Sequence, residues 1–329
     1  MRRFRLGLAL VFVFWAAAAA AQDASTVGAG PAPTGPGATG PLKPVDEAYG
    51  AFQRGLYLTA LTLALDRAEH GDAAAQTLVG EIYANGLGVP QSPAKAVSWY
   101  RRADANGDPN ASFALSLLYG SGTGVPRNSA KAAELMEKAA NAGLPAAQYN
   151  MALLYIEGRL VEPNQLKAAE LMEKAADAGL AEAALDYGVM LVNGAITAPE
   201  PERGAAYVHA AAEAGLVDAM VEYATLRYLG KGAIKDIEAA ASWYEKAANL
   251  GSPVAQNRLA ILLAAGEGVA ADAETAAMWR SLARRAGLID PQIDKLLADI
   301  PPGTLARAEA RARAWPNPLP VEEAGTMIE

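Results

Sequence analysis

The sequence predicts an all-α, right-handed superhelical solenoid of stacked helical hairpins with a 36-residue period. Three observations carry that prediction. Glycines recur in strict register at Gly71, Gly107, Gly143, Gly179, Gly215, Gly251 and Gly287, and a second series runs through Gly86, Gly122, Gly158, Gly194, Gly230 and Gly266 at the same step. Two alanine series, Ala75 to Ala255 and Ala103 to Ala283, keep it too. Within a period the apolar residues return at helical spacing, as Ala75, Val79, Ile82 and Tyr83 do. Self-similarity at one fixed step marks a repeat array. Residues 131–144 and 167–180 differ at a single position, which points to duplication within the chain.

The elements follow in order. Arg2, Arg3 and Arg5 lead into an apolar run over residues 6–15 and a small-residue site, Ala19-Ala20-Ala21. That is the grammar of a signal peptide over residues 1–21, leaving Gln22 as the mature terminus and the protein in the periplasm or secreted. An uncleaved anchor is the alternative, although the run reaches only the lower length limit of a spanning helix. Arg2-Arg3 also admits a twin-arginine signal, but the basic region is short and favours the general secretory route. Residues 22–45, rich in Pro, Gly and Ala, cannot bury enough apolar surface to fold and read as a disordered linker.

Residues 46–71 form an N-terminal capping hairpin, its helices starting near Glu47 and Leu58. Residues 72–289 hold six repeats. The first helix of each runs from about Ala75 to Ala84 in repeat 1 and stops at the Gly86 series, where a left-handed residue costs glycine nothing. The second helix starts behind Ser92, Asn128, Asn164, Glu200, Asp236 or Asp272, of which five are good N-caps, and stops at the Gly107 series. The alanines let helix backbones approach, while Trp99, Leu135, Leu171, Tyr207, Trp243 and Trp279 fill the space beside them. One hairpin cannot bury its apolar face alone, so neighbours stack. Residues 290–316 close the array with two short helices opened by Asp290-Pro291 and Thr304 and separated by Pro301-Pro302, and residues 317–329 are a flexible tail.

Composition limits the chemistry. With 0 cysteines the chain has no disulfide, no thiolate metal site and no lipidated N-terminal cysteine. The formal charge of −8 becomes −11 once the three signal arginines are removed. A net acidic chain argues against nucleic acid and anionic membrane surfaces as partners. No stable membrane insertion is expected after signal cleavage, and no cofactor.

One whole period, residues 75–89 followed by Lys95-Ala96, Trp99-Tyr100 and residues 103–107, resembles the Sel1-like repeat, the tetratricopeptide relative with a longer GxGV loop. The likeness spans about residues 47–289. Repeat 3 departs from it at Leu160, and repeat 4 at Ile196, Thr197 and Arg203, where the pattern has Gly, Val and Lys. The resemblance implies hairpins throughout and leaves the geometry of those loops open. It also implies a binding scaffold rather than an enzyme, since Sel1-like proteins generally serve as adaptors, in bacteria often in the periplasm and in signalling or envelope assembly. One cysteine-rich branch has been linked to β-lactam hydrolysis, and this chain has none of its cysteines.

Candidate catalytic groups have plainer explanations. His70 and His209 lie near the ends of second helices several repeats apart and read as solvated surface residues. Ser92-Pro93-Ala94-Lys95 matches the Ser-x-x-Lys spacing of penicillin-recognising enzymes, yet Ser92 falls in the N-cap series and Lys95 in the series of Lys131 and Lys167. A β-lactam-recognising hydrolase is therefore the alternative function, and nitrocefin turnover abolished in Ser92→Ala would reveal it. The glycine-rich loops follow a helix instead of preceding one, so turn chemistry explains them better than a phosphate cradle.

One feature goes further. On the first helices, the face opposite the core stripe carries Thr77 and Glu81 in repeat 1, then Phe113 and Leu117, Tyr149, Leu153 and Ile156, Leu185, Val189 and Val192, and Val221, Thr225 and Tyr228. Helices buried all round would account for it. The alternative is a concave groove that receives an extended segment or helix of another protein, with Asn150, Asp186, Glu222 and Arg258 along one flank. The partner-binding candidates are Phe113, Leu117, Tyr149, Leu153, Leu185, Asp186, Glu222 and Tyr228.

Overall fold

The computed structural model describes residues 46–195 and 198–315, and these hold 16 helices and no strand. The expected signal peptide, linker and tail lie outside the described residues, as do Ile196, Thr197 and Pro316. The chain divides into two compact units, the first ending at Asp108 and the second beginning at Pro109.

The first unit contains α1 (Glu47–Gln53), α2 (Tyr57–Glu69), α3 (Ala73–Asn85) and α4 (Pro93–Ala105), each packed on its neighbour in the chain. Its core is built from small residues, Ala48, Ala51, Ala60, Ala64 and Ala68, closed by Leu61, Val79 and Ile82. Asp46 caps α1 and Asp72 caps α3, each accepting a first-turn N–H, and one guanidinium ties the two caps together. Arg67 reaches Asp46 at 2.9 Å and Asp72 at 2.6 Å. Tyr100 lies on Gly80, where an added Cβ would stand 2.7 Å from the ring.

The second unit repeats one hairpin. Its first helices are α5 (Pro109–Ser121), α7 (Pro145–Glu157), α9 (Ala181–Asn193), α11 (Val217–Leu229) and α13 (Pro253–Ala265). Its second helices are α6 (Ser129–Asn141), α8 (Gln165–Asp177), α10 (Pro201–Glu213), α12 (Ile237–Asn249) and α14 (Ala273–Arg285). Consecutive helices pack in order, and α15 (Pro291–Leu296) and α16 (Pro302–Ala314) cover α13 and α14. Both alanine series are buried at every position, as the expected close crossings require. The buried side of α6 (Ala132, Leu135, Met136, Ala139, Ala140) recurs residue for residue in α8 (Ala168, Leu171, Met172, Ala175, Ala176).

The Gly86 series is left-handed at all six positions, with φ between 64° and 78°. Loop geometry in repeat 3 survives the loss of glycine: Leu160 takes φ 67°, beside 69°, 72°, 71° and 67° for Gly88, Gly124, Gly232 and Gly268. It is the one non-glycine residue with positive φ among the described residues.

Two expectations need correction. Ser92 occupies the N-cap position of α4 but makes no cap bond, whereas Asn128, Asn164, Asp236 and Asp272 do. All share a φ between −144° and −154°, and from that backbone the serine oxygen, one bond nearer the chain, falls short of the N–H. The bulky series is not uniformly core: Leu135, Leu171 and Trp279 are buried, while Trp99, Tyr207 and Trp243 are half-exposed under cationic side chains. The Gly107 series, including Gly179 at φ 89°, is left-handed as well, and an added Cβ at Gly179 meets nothing within 4 Å, so Gly179 is not held by close packing.

Candidate functional site

The candidate face is built from the first helices of the second unit. Phe113 and Leu117 on α5, Tyr149 and Leu153 on α7, Leu185 and Val189 on α9, and Val221 and Tyr228 on α11 are all half-buried, with one side packed on the core and the other open. Neither extreme holds: these helices are not sealed all round, and the residues do not project freely. Ile156, on the same side of α7, is 37 % exposed, whereas Val192 is 4 % exposed and belongs to the core.

Polar groups interrupt the apolar row at defined places. The Tyr149 hydroxyl donates to Asp186 Oδ2 at 2.8 Å, joining α7 to α9. Burial and the adjoining carboxylate push the Tyr149 hydroxyl above its usual range. Asp186 is itself raised, first by burial and further by Glu182 one turn away, while the tyrosine bond opposes the shift. Thr225 and Tyr244 share a hydroxyl–hydroxyl bond at 2.8 Å, and Glu222, Arg258 and Tyr228 act electrostatically on that tyrosine. Tyr228 donates to Glu267 at 3.1 Å. Repeat 1 is different: Thr77 bonds Asp108, and burial raises the Glu81 carboxyl.

Of the residues singled out in the sequence, Tyr149 and Asp186 are thus brought into contact. Among the described residues no hydrogen bond joins Glu222, Tyr228 and Arg258 to one another, but all three act electrostatically on Tyr244, a residue the sequence reading passed over, which Thr225 holds. Asn150 is turned back onto its own helix, bonding the Ala146 carbonyl at 2.7 Å.

The second helices carry groupings that periodicity alone did not bring out. Arg203 lies over both Tyr187 and Tyr207 and pairs with Glu173 and Glu200, while Tyr207 donates to Asp177 at 2.6 Å. His209 is half-buried and stacked on Tyr223 with ring centroids 4.4 Å apart, edge-on to Trp243, so it is not the solvated histidine the sequence suggested. Lys246 sits 3.8 Å from the Trp243 ring centre. The spacing signal was there, since Trp99/Arg102 and Trp243/Lys246 are the same i, i+3 pair four repeats apart. His70 is exposed at the end of α2 and bonds the Asp66 carbonyl.

Among the described residues no hydrogen bond joins Ser92 to Lys95, whose ammonium lies 4.9 Å from the Tyr83 ring centre. No three His, Asp or Glu side chains there converge as a metal site requires, and no helix there is long and apolar enough to cross a membrane.

A family model described as the Sel1 repeat matches six consecutive segments, residues 73–108, 109–144, 145–180, 181–216, 217–252 and 253–288. A comparison with curated proteins found no match. Among solved structures, a Sel1 repeat protein from Oxalobacter formigenes is similar at 29% identity and a TM-score of 0.65, over 74% of this chain and 99% of that one. A protective antigen of uropathogenic Escherichia coli displaying an SLR fold is 21% identical with a TM-score of 0.46, over 78% of this chain and 71% of that one. An immunity protein from Pseudomonas aeruginosa is 21% identical with a TM-score of 0.40, over 73% and 83%.

Proposed function

The chain belongs to the Sel1 repeat family, and from that premise we propose that it is an exported scaffold that binds another protein through the first-helix face of repeats 2 to 5. The observation that carries this reading is the row of half-buried apolar side chains from Phe113 to Tyr228, repeated on four successive first helices and left open on one side. A chain in water gains little from such a row unless something covers it. Aromatic anchors such as Tyr149 and Tyr228 carry much of the energy where proteins meet, about 2 kcal/mol or more for each well-packed one. Binding is by many contacts along stacked repeats, with no bond made or broken.

The basic start and apolar run at the amino terminus support export to the periplasm, and the family supports a role there as a regulator of signalling or of envelope assembly. A crosslinking pull-down from the envelope fraction, followed by Tyr149→Ala, Leu153→Ala and Tyr228→Ala, tests the proposal. Each variant, once shown to fold, is expected to lose the crosslinked partner. Retention by all three, with loss on changing Lys138, Lys174 or Lys246, would place the site on the second helices instead.

A further inference from the structure

From α5 to α11 the charges on the first helices are distributed one-sidedly, whereas α13 carries a single charge, Arg258. Helix α5 carries none. Helix α7 ends in Glu157, which Arg159 engages at 3.1 Å. Helix α9 carries Glu182 and Asp186 and no cation. Helix α11 adds Asp218 and Glu222, and its one cation, Arg227, is committed to Asp236 at 2.6 Å. Lysines lie on the second helices instead, among them Lys138, Lys174 and Lys246, or in the loop after α11, from which Lys231 reaches Asn193 at the end of α9 at 2.9 Å.

Asp186 is the focus of this asymmetry. It is half-buried beside Tyr149, Oδ2 takes the tyrosine hydroxyl, and Oδ1 receives no hydrogen bond from the described residues. Glu182 stands one turn earlier on the same helix, a like charge at the i, i+4 spacing that destabilises an isolated helix. Neither carboxyl has a cationic partner among the described residues.

Resting on the reading that a partner covers this face, we infer that the partner segment is basic and delivers a lysine or arginine side chain to the Glu182–Asp186 edge beside Tyr149. An ammonium or guanidinium there meets two carboxyls and an aromatic ring, and its aliphatic stem lies along Leu153 and Leu185. An acidic segment would bring a third negative charge to a place that has no cation.

A random peptide library displayed on phage, selected on the intact chain, is the probe. The peptides recovered are expected to carry Lys or Arg at a recurrent position among apolar residues and to lose binding to Leu153→Asp. Their affinity is expected to fall about tenfold or more for Glu182→Gln/Asp186→Asn, as a lost charge-assisted hydrogen bond implies. Asp186→Asn keeps an acceptor for Tyr149, and circular dichroism and melting check each variant. Peptides that need Leu153 but show no basic preference, or are enriched in Asp and Glu, overturn the inference and leave the binding face standing. Peptides indifferent to Leu153→Asp, or no enrichment at all, overturn the face itself. A concentration-dependent dimer that Leu153→Asp dissolves would give the face to a second copy of the chain and also overturn the inference.

Discussion

Gly188 on α9 and Gly204 on α10 face each other backbone to backbone. A Cβ built on Gly188 would stand 2.7 Å from the Gly204 carbonyl oxygen, and one built on Gly204 would stand 2.5 Å from the Gly188 oxygen. The other repeats place Ala or Ser at the Gly188 position, except Gly80 in repeat 1, and Ala at the Gly204 position. Repeat 4 is therefore the hairpin whose two helices come closest at this crossing.

Gly188→Ala is expected to destabilise the protein. Overpacking of about 1–3 kcal/mol exceeds the gain of about 1 kcal/mol that alanine brings as a better helix former. Gly303→Ala is the control, because its Cβ meets nothing nearer than Arg307 at 4.0 Å and only the propensity gain remains. Urea midpoints should move in opposite directions, and a shift of the same sign in both would contradict the close crossing.

Leu160→Gly is expected to stabilise. Leu160 holds a left-handed backbone at φ 67° while its side chain is 55 % exposed, so little packing is lost on removing it. Relief of about 1–2 kcal/mol outweighs the roughly 0.4–1 kcal/mol that glycine adds to the freedom of the unfolded chain. A lower urea midpoint would mean that the exposed leucine contributes contacts outweighing its strain.

The second-helix caps should separate by residue. Asn164→Ala removes an N-cap bond at 3.0 Å and is expected to cost about 1 kcal/mol, whereas Ser92→Ala removes none and should be close to neutral. Gly179→Val should cost the left-handed backbone penalty, about 1–2 kcal/mol, without an added clash. Thermal melts of the three variants measure the order.

Acid should loosen the carboxyl-terminal cap. Arg280, 3 % exposed, bonds Asp294 through two nitrogens at 2.7 and 2.9 Å and also reaches Asn257 and the Leu288 and Asp290 carbonyls. That guanidinium, with Arg284 second, holds the Asp294 pKa down to about 2. A lowered carboxyl stabilises the fold fully above its unfolded value, about 3.9. The contribution is lost as pH falls from there through about 2. Asp294→Asn should flatten that stretch of the stability profile, with fluorescence of the Trp279–Trp315 pair, 4.9 Å apart, following the cap. An unchanged slope would show that the pair adds nothing to acid sensitivity.

Much of this fold is legible in the sequence because its signals are periodic. The Gly86 series fixes where first helices stop, Asn128, Asn164, Asp236 and Asp272 fix where second helices start, and the alanine series mark buried crossings. What stayed hidden depends on side chains that meet across about thirty residues or more of chain. Nothing local announces that Tyr149 reaches Asp186 or that Asn257 reaches Asp290. Leu160 left its loop undecided for the converse reason. Its sequence breaks the glycine pattern, but the surrounding loop imposes the left-handed turn all the same.

The matching buried sides of α6 and α8 bear on how such a chain changes its length. Residues 178–180 repeat residues 142–144, Ala-Gly-Leu in both, so the connection into the next repeat is the same as well. Excising residues 145–180 would bring α6 against α9 with the side chains that α8 now presents to it. Loss or gain of a whole module at this place keeps the buried second-helix contacts and gives up only lateral bonds such as Tyr149 to Asp186 and Tyr207 to Asp177, so evolution can adjust the reach of the array in steps of one repeat with few side chains to redesign.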